Sequence, residues 1–458
     1  MAEKITINPV TRINGFMEIE ADIEKKSIVD AKTKGLMFRG FEKMLQGRNP
    51  FDAVYFTQRI CGICSTAHSM ASALALEDAL NIIPSEQGRY LRDLLHACEF
   101  LQNHLRHFYQ FTLPDYIKLP DNYPLFQRDH NDYRIPNDIN DNMVKDYFES
   151  LEFSRSAHQM LAILGGKAPH NHGVFIGGIT SPVTADTVIT IKSILYRIKQ
   201  FILEKMLPDV YTIGTYYPEY YHMGGGYGNL LSYGSFYDYR DLGTLYVDPL
   251  AFSKGNTAPF DPALITQEDE YAWFNKEDEP DKNKPQAYSW IKAPRYGNVP
   301  YEVGPLARQW LSGEYKNGIS AMDRTIARVL EAKKIVEIME TLIDNLIPGV
   351  SMQEKYKIPV QSSGKGLIDT TRGALGHWLY IENSTIAFYQ IITPSAWNLS
   401  TQSNGMKGTG EQALIGSPVL NVDSPVEIGR IIRSFDPCVS CATHVFFGGK
   451  CINTIQIV

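Results

Sequence analysis

The chain has 458 residues, 44% apolar and 21% charged, a globular profile with enough apolar surface for a large core, which excludes disordered, fibrous and collagen-like classes. Forty-four basic residues against 51 acidic give a net charge of -7, which disfavours a general polyanion binder and with it nucleic acid as a partner. No run of 18 or more uninterrupted apolar residues occurs, and MAEKITINPVTRINGF at the start holds neither an apolar signal core nor a twin-arginine pair. The chain is therefore expected to carry no export or membrane signal of its own, and to meet a membrane only through partners.

Residues 4 to 38 read as short strands, ITINPV, FMEIEADIE and SIVDAKTKGLMF, separated by turn residues at Asn14-Gly15 and Lys25-Lys26. From Cys64 the composition changes: STAHSMASALALEDAL has no Gly or Pro, and its apolar residues recur at helical spacing, so a helix starts at or just before Cys64. The next segment runs between Pro84 and Pro114 with Ser85 as N-cap and Leu91, Leu94, Leu95, Cys98, Leu101 and Leu105 at helical intervals, which predicts a long, largely buried helix. Similar patterns at about 142 to 164, 182 to 205 and 318 to 346 make four or five long helices able to pack as a bundle. Residues 207 to 305, rich in Tyr, Gly and Pro, read as loops and short strands over that bundle. The fold class is α+β, mainly α: a long-helix bundle core with a small N-terminal β element and peripheral short strands. With no internal repeat, one extended domain is the simplest organisation.

Four of the six cysteines form two pairs, Cys61-Gly-Ile-Cys64 and Cys438-Val-Ser-Cys441. Random placement of six cysteines gives roughly 0.07 pairs at that spacing, so the two pairs are not an accident of abundance. Four thiolates select soft or borderline metals such as zinc, iron or nickel. Spacing alone leaves open a catalytic metal site, a tetrahedral zinc clip tying the C-terminus to the core, and a redox dithiol. Cys98, on the apolar face of the long helix, reads as a buried core thiol.

The flanking residues, Arg59 to His68 around the first pair and Asp436 to His444 around the second, resemble the two signatures of the large subunit of nickel-iron hydrogenases. The likeness extends to PVTRINGF (9 to 16), FRGFE (38 to 42), GGKAPH (165 to 170), TRGALGHW (371 to 378), PSAWN (394 to 398) and EQALIGSPV (411 to 419), and so runs along nearly the full chain. It implies a hydrogenase that cleaves H2 to protons and electrons at a nickel-iron centre. Cys61 and Cys438 would be terminal nickel ligands, while Cys64 and Cys441 would bridge to an iron carrying carbon monoxide and cyanide. Cys438 matches the position of the terminal thiolate base. Arg372 matches an arginine held over the open face of the metals, and Asp436 an acid that supports it. Ser395, preceded by Pro394, matches a donor to an iron-bound cyanide. Glu42, His444 and the backbone carbonyl of Ile391 match the surroundings of a magnesium ion. His68 reads as a hydrogen-bonded helix-face histidine rather than a ligand, and the N-terminal dipole of its helix is expected to favour an ionised Cys64.

The resemblance further implies an iron-sulfur small subunit as electron-accepting partner, with export, if any, directed by that partner, and nickel-insertion proteins during maturation. Residues 1–444 would form the hydrogenase domain, and 445–458 a C-terminal extension cut off by an endopeptidase after His444. Cys451 lies in that extension and reads as incidental. Asn14 and Asn103 depart from the pattern, since each stands where an acid is usual and neither can titrate. Asn14, with Ile63 and Phe111, leaves a hydrogen-sensing role as an alternative, which the extension opposes, and a non-catalytic zinc-clipped electron-transfer scaffold is a further one. If the bulk of Ile63 and Phe111 narrows gas passage, Ile63→Val with Phe111→Leu will speed oxygen inactivation; an unchanged rate reduces both residues to core packing.

Overall fold

A computed structural model describes residues 3–123, 130–275, 278–349 and 356–442. Strands β1 (Glu3–Ile7), β2 (Met17–Glu24) and β3 (Ser27–Gly35) form an antiparallel meander at the N-terminus. Alternation explains β2: Met17, Ile19, Ala21 and Ile23 face the core, with more exposed residues between them. Lys25 and Lys26 form the two-residue turn to β3, both with positive φ (48° and 63°), which matches the twist of a hairpin.

A short helix, α1 (Phe41–Leu45), precedes α2 (Ser65–Leu80). Helix α2 begins directly after Cys64 and ends on Asn81 in the left-handed conformation. Helix α3 (Glu86–Arg106) is capped by Ser85, whose hydroxyl accepts the N–H of Gly88, as the sequence predicts. It runs on through a π-helical turn at His107–Thr112. Helices α4 (Asn137–Gly165), α5 (Ala185–Phe201) and α6 (Ala321–Asp344) complete the bundle, with α3 packed on α4 and α6, and α5 on α4 and α6. Buried apolar side chains from β2 through these helices to Cys438 and Cys441 form one continuous core.

Two segments differ from the sequence reading. The Tyr- and Pro-rich region expected to be loops and short strands opens with a helix at Leu207–Tyr216, which continues α5 through a π-helical turn at Ile202–Met206 just before Pro208. Beyond it the short strands appear as expected, for example Leu230–Ser232 and Leu250–Ser253. The second difference is a three-stranded antiparallel sheet, β4 (Gln361–Thr370), β5 (Gly373–Glu382) and β6 (Thr385–Ile392), which is not peripheral. It lies directly on α2.

That contact is made backbone to backbone. A Cβ at Gly366 would sit 1.9 Å from the carbonyl oxygen of Ala71 and 2.6 Å from the nitrogen of Ala75, and one at Gly364 would sit 2.2 Å from the oxygen of Ala75. Glycine on the strand and alanine on the helix are thus what let α2 approach β4. The approach matters because Cys64 stands at the start of α2 and Arg372 in the β4–β5 turn. Gly366→Ala is expected to destabilise the chain by at least about 1–3 kcal/mol through overpacking against rigid backbone, read as a lowered thermal midpoint.

Candidate metal centre

The C-terminal cysteine loop is aimed by a helix end. Helix α7 (Val426–Ser434) stops at Phe435, and Asp436 takes the left-handed conformation (φ 55°) with its N–H on the carbonyl of Arg433. Pro437 then blocks any continuation and directs Cys438 inward. Cys438 pairs through a β-bridge with Asn14: the N–H of Asn14 donates to Pro437 O at 3.0 Å, and that of Val439 to Asn14 O at 2.7 Å. The guanidinium of Arg39 joins both loops, donating to the carbonyls of Ile60 and Ser440 (the latter 2.6 Å).

Four buried thiols converge as a result. The Sγ atoms of Cys61, Cys64, Cys438 and Cys441 all lie within 4.8 Å of one another. Cys61 and Cys438 are 3.5 Å apart, Cys64 and Cys441 3.2 Å, and Cys438 and Cys441 2.7 Å, too crowded for four negative charges unless a cation shares them. Hydrogen bonding from Cys438, Cys441 and Cys64 draws the Cys61 thiol down, and Cys61 Sγ also accepts the backbone N–H groups of Ile63 and Cys64. The neighbouring sulfurs, Cys438 first, together with burial push Cys64 up, contrary to the expectation that its helix dipole would ionise it. At the helix start, Glu99 accepts the N–H groups of Thr66 (2.7 Å) and Ala67 (3.0 Å). Burial raises Glu99 to about 8.

A small cavity of about 10 Å³ adjoins the sulfurs, lined by Cys64, Cys438 and Cys441 with Arg372, Pro394 and Ser395. Arg372 is fixed by three bonds: Nε to the Asp436 carbonyl at 2.9 Å, and Nη2 to Asn103 Oδ1 at 2.8 Å and to the Asp436 carboxylate at 2.9 Å. Its Nη1 is buried without a hydrogen-bond partner, as is the hydroxyl of Thr371, which also lines the cavity. Two orphaned donors at one cavity wall fit acceptor groups held on a metal within it. Burial would raise Asp436, but Arg372 foremost, with His107 and Arg328, holds its carboxyl well below the usual range. Ser395, in the helix Pro394–Leu399, accepts the Cys438 N–H at 2.9 Å.

The other sequence-predicted residues fall into place unevenly. Glu42, half-buried on α1, accepts the N–H of Ile391 at 2.9 Å in a separate cavity that also holds Lys292. His444 and Cys451 lie outside the described residues. His68 bonds not to sulfur or backbone but to a second histidine, Nδ1 to His377 Nε2 at 3.1 Å, and burial lowers it to about 4. Ile63 and Phe111 are not among the described residues that line the sulfur cavity. Cys98 is buried in α3 with its thiol on the Leu94 carbonyl, as read. Arg39 and Glu99 were missed; FRGFE was noted only as a matching string, and an acid on a helix carries no sequence signal of which N–H groups it will meet.

Fold and site together define a protein with a buried cluster of four cysteines, fit to hold metal, beside a cavity lined by an arginine. The family model of the nickel-dependent hydrogenases matches residues 39–124, 121–319 and 309–444. The chain is 34% identical to the periplasmic [NiFeSe] hydrogenase large subunit of Desulfomicrobium baculatum, over 96% of this chain and 95% of that one. It is 28% identical to the uptake hydrogenase large subunit of Bradyrhizobium diazoefficiens, over 97% and 95%. The Ni-Fe-Se hydrogenase structure from Desulfovibrio vulgaris Hildenborough superposes with a TM-score of 0.93 at 35% identity, over 97% of this chain and 100% of that chain. The chain belongs to the nickel-dependent hydrogenase family, as a large subunit: an H2-oxidising oxidoreductase with a four-cysteine cluster that fits a nickel-iron centre, and with a small subunit as partner. All four positions of the cluster are cysteine.

Asp436 compensates Arg372 from a fully buried position, so Asp436→Asn is expected to cost about 3–5 kcal/mol by stranding the guanidinium. Chemical denaturation measures that cost, while Arg372→Lys should keep nickel and lose turnover by about 10²-fold, because a lysine cannot grip Asn103 and Asp436 together and still face the cavity.

Proposed function

We propose that Cys61 and Cys438 are terminal nickel ligands, that Cys64 and Cys441 bridge to an iron carrying carbon monoxide and cyanide, and that Cys438 is the base nearest the cleaved H2. When bound, the metal pair supplies open coordination positions at which H2 is split heterolytically. The observation that carries this reading is the closed set of four sulfurs beside a cavity whose wall presents the unpartnered Nη1 of Arg372.

Arg372 then holds a fixed positive charge where charge develops, and Asp436 with Asn103 keeps its fork in one orientation. Ser395 presents its hydroxyl to the cavity, while its oxygen steadies the Cys438 N–H; Pro394 places it by starting its helix. Enclosure by these groups excludes water, which strengthens each of their interactions. Glu42, the carbonyl of Ile391 and His444 are the proposed surroundings of a magnesium ion, oxygen-rich as that ion requires. Burial raises Glu42, and Lys292 offsets part of that.

Electrons pass to iron-sulfur clusters of the small subunit, since the cysteines left over, Cys98 and Cys451, cannot build a relay. Residues 1–444 act as one catalytic domain, a reading supported by the large core cluster that runs from β2 to Cys441, and 445–458 are removed by the maturation endopeptidase after nickel insertion. No helix among the described residues is long and apolar enough to cross a membrane. Export or membrane attachment together with the small subunit is supported by the periplasmic relative; a cytoplasmic pair is the alternative. Full-length similarity to hydrogenase large subunits favours turnover over sensing or a zinc clip. Metal analysis of the purified complex, with infrared spectra of the carbon monoxide and cyanide stretches, should give nickel and iron near one each, magnesium, and those bands; zinc without bands would overturn the assignment.

A further inference from the structure

The side chain of Asn14 reaches the two sulfurs proposed as terminal ligands. Its Nδ2 lies 3.2 Å from Cys61 Sγ and 3.0 Å from Cys438 Sγ. One amide nitrogen carries two N–H bonds, so it can direct one to each sulfur. The backbone of Asn14 is separately locked to Pro437 and Val439, so the side chain is not what holds the C-terminal loop in place. A hydrogen bond donated to a thiolate stabilises charge on sulfur and weakens its donation to a metal, which is a recognised route by which surrounding groups tune reduction potential. An ionised carboxylate of the same shape could only repel the two sulfurs; an amide donates without titrating.

We propose that Asn14 is a positioning residue that places one hydrogen-bond donor on each of the thiolates Cys61 and Cys438, lowering their donation to nickel and raising its reduction potential. The inference rests on the assignment of those two cysteines to nickel. It has a second consequence: an amide bound to both sulfurs takes no proton from them, so the proton released on H2 cleavage leaves by another group.

The test uses the complete enzyme with its small subunit, following nickel by electron paramagnetic resonance during a potentiometric titration. Asn14→Ala and Asn14→Asp are expected to shift the nickel potential to more negative values, while Asn14→Gln, which keeps the donor, stays near the unsubstituted enzyme. Because a variant can fail to load nickel, a second measurement uses the unsubstituted enzyme grown with ¹⁵N-asparagine: pulsed resonance at nickel should show a ¹⁵N coupling. Nickel present with equal potentials in all the variants, or with no ¹⁵N coupling, overturns the proposal. An unsubstituted enzyme without nickel overturns the ligand assignment beneath it.

Discussion

Four thiols confined within 4.8 Å of one another set the electrostatic problem that the surrounding residues answer. Sulfurs this close can lose their protons together only in the presence of positive charge. Part of that charge belongs to the metals, and part is built into the chain as Arg372. A buried guanidinium needs its own counter-charge, and Asp436 supplies it at 2.9 Å. Asp436 in turn is ringed by Asn103 at 2.7 Å, His107 at 3.8 Å and Arg328 at 4.0 Å. Charges of alternating sign thus step outward from the sulfurs into the helix bundle, each step stabilised by the one before it.

The two halves of the site are far apart in sequence, 377 residues separating Cys61 from Cys438 and Cys64 from Cys441. Three devices hold them in register. The Asn14 bridge pins the C-terminal loop to the N-terminal segment, Arg39 ties the carbonyls of both loops, and the glycine-to-alanine contact of β4 with α2 fixes Arg372 relative to Cys64. Each of the three engages backbone atoms, whose positions are set by the elements they belong to and not by a side-chain rotamer.

Legibility of the fold followed periodicity. Helices α3 and α6 are amphipathic and capped by serine, and both were predicted close to their observed limits. The sheet β4–β6 was not, because β5 is covered on both faces and so lacks the alternation by which a half-buried strand declares itself. The helix at Leu207–Tyr216 hid behind Pro208 and the tyrosines and glycines that follow. At the site, the cysteines and Arg372 were legible as motifs, whereas Glu99 and Arg39 act on backbone groups, and a backbone N–H or carbonyl has no letter of its own.

The sequence by itself determined the chemistry available: four soft donors in two pairs, one arginine in a glycine-flanked turn, and an amide at position 14. Those are properties of residue type and short-range spacing, and they survive without knowledge of the fold. Only the tertiary structure decided that Glu99 accepts N–H groups at the start of the helix after Cys64, that His68 bonds to His377, and that the Asn14 amide meets both Cys61 and Cys438. Each of these joins groups at least 30 residues apart, or divides one group between two partners. Such contacts are set by how helices and strands pack, and local sequence does not encode them.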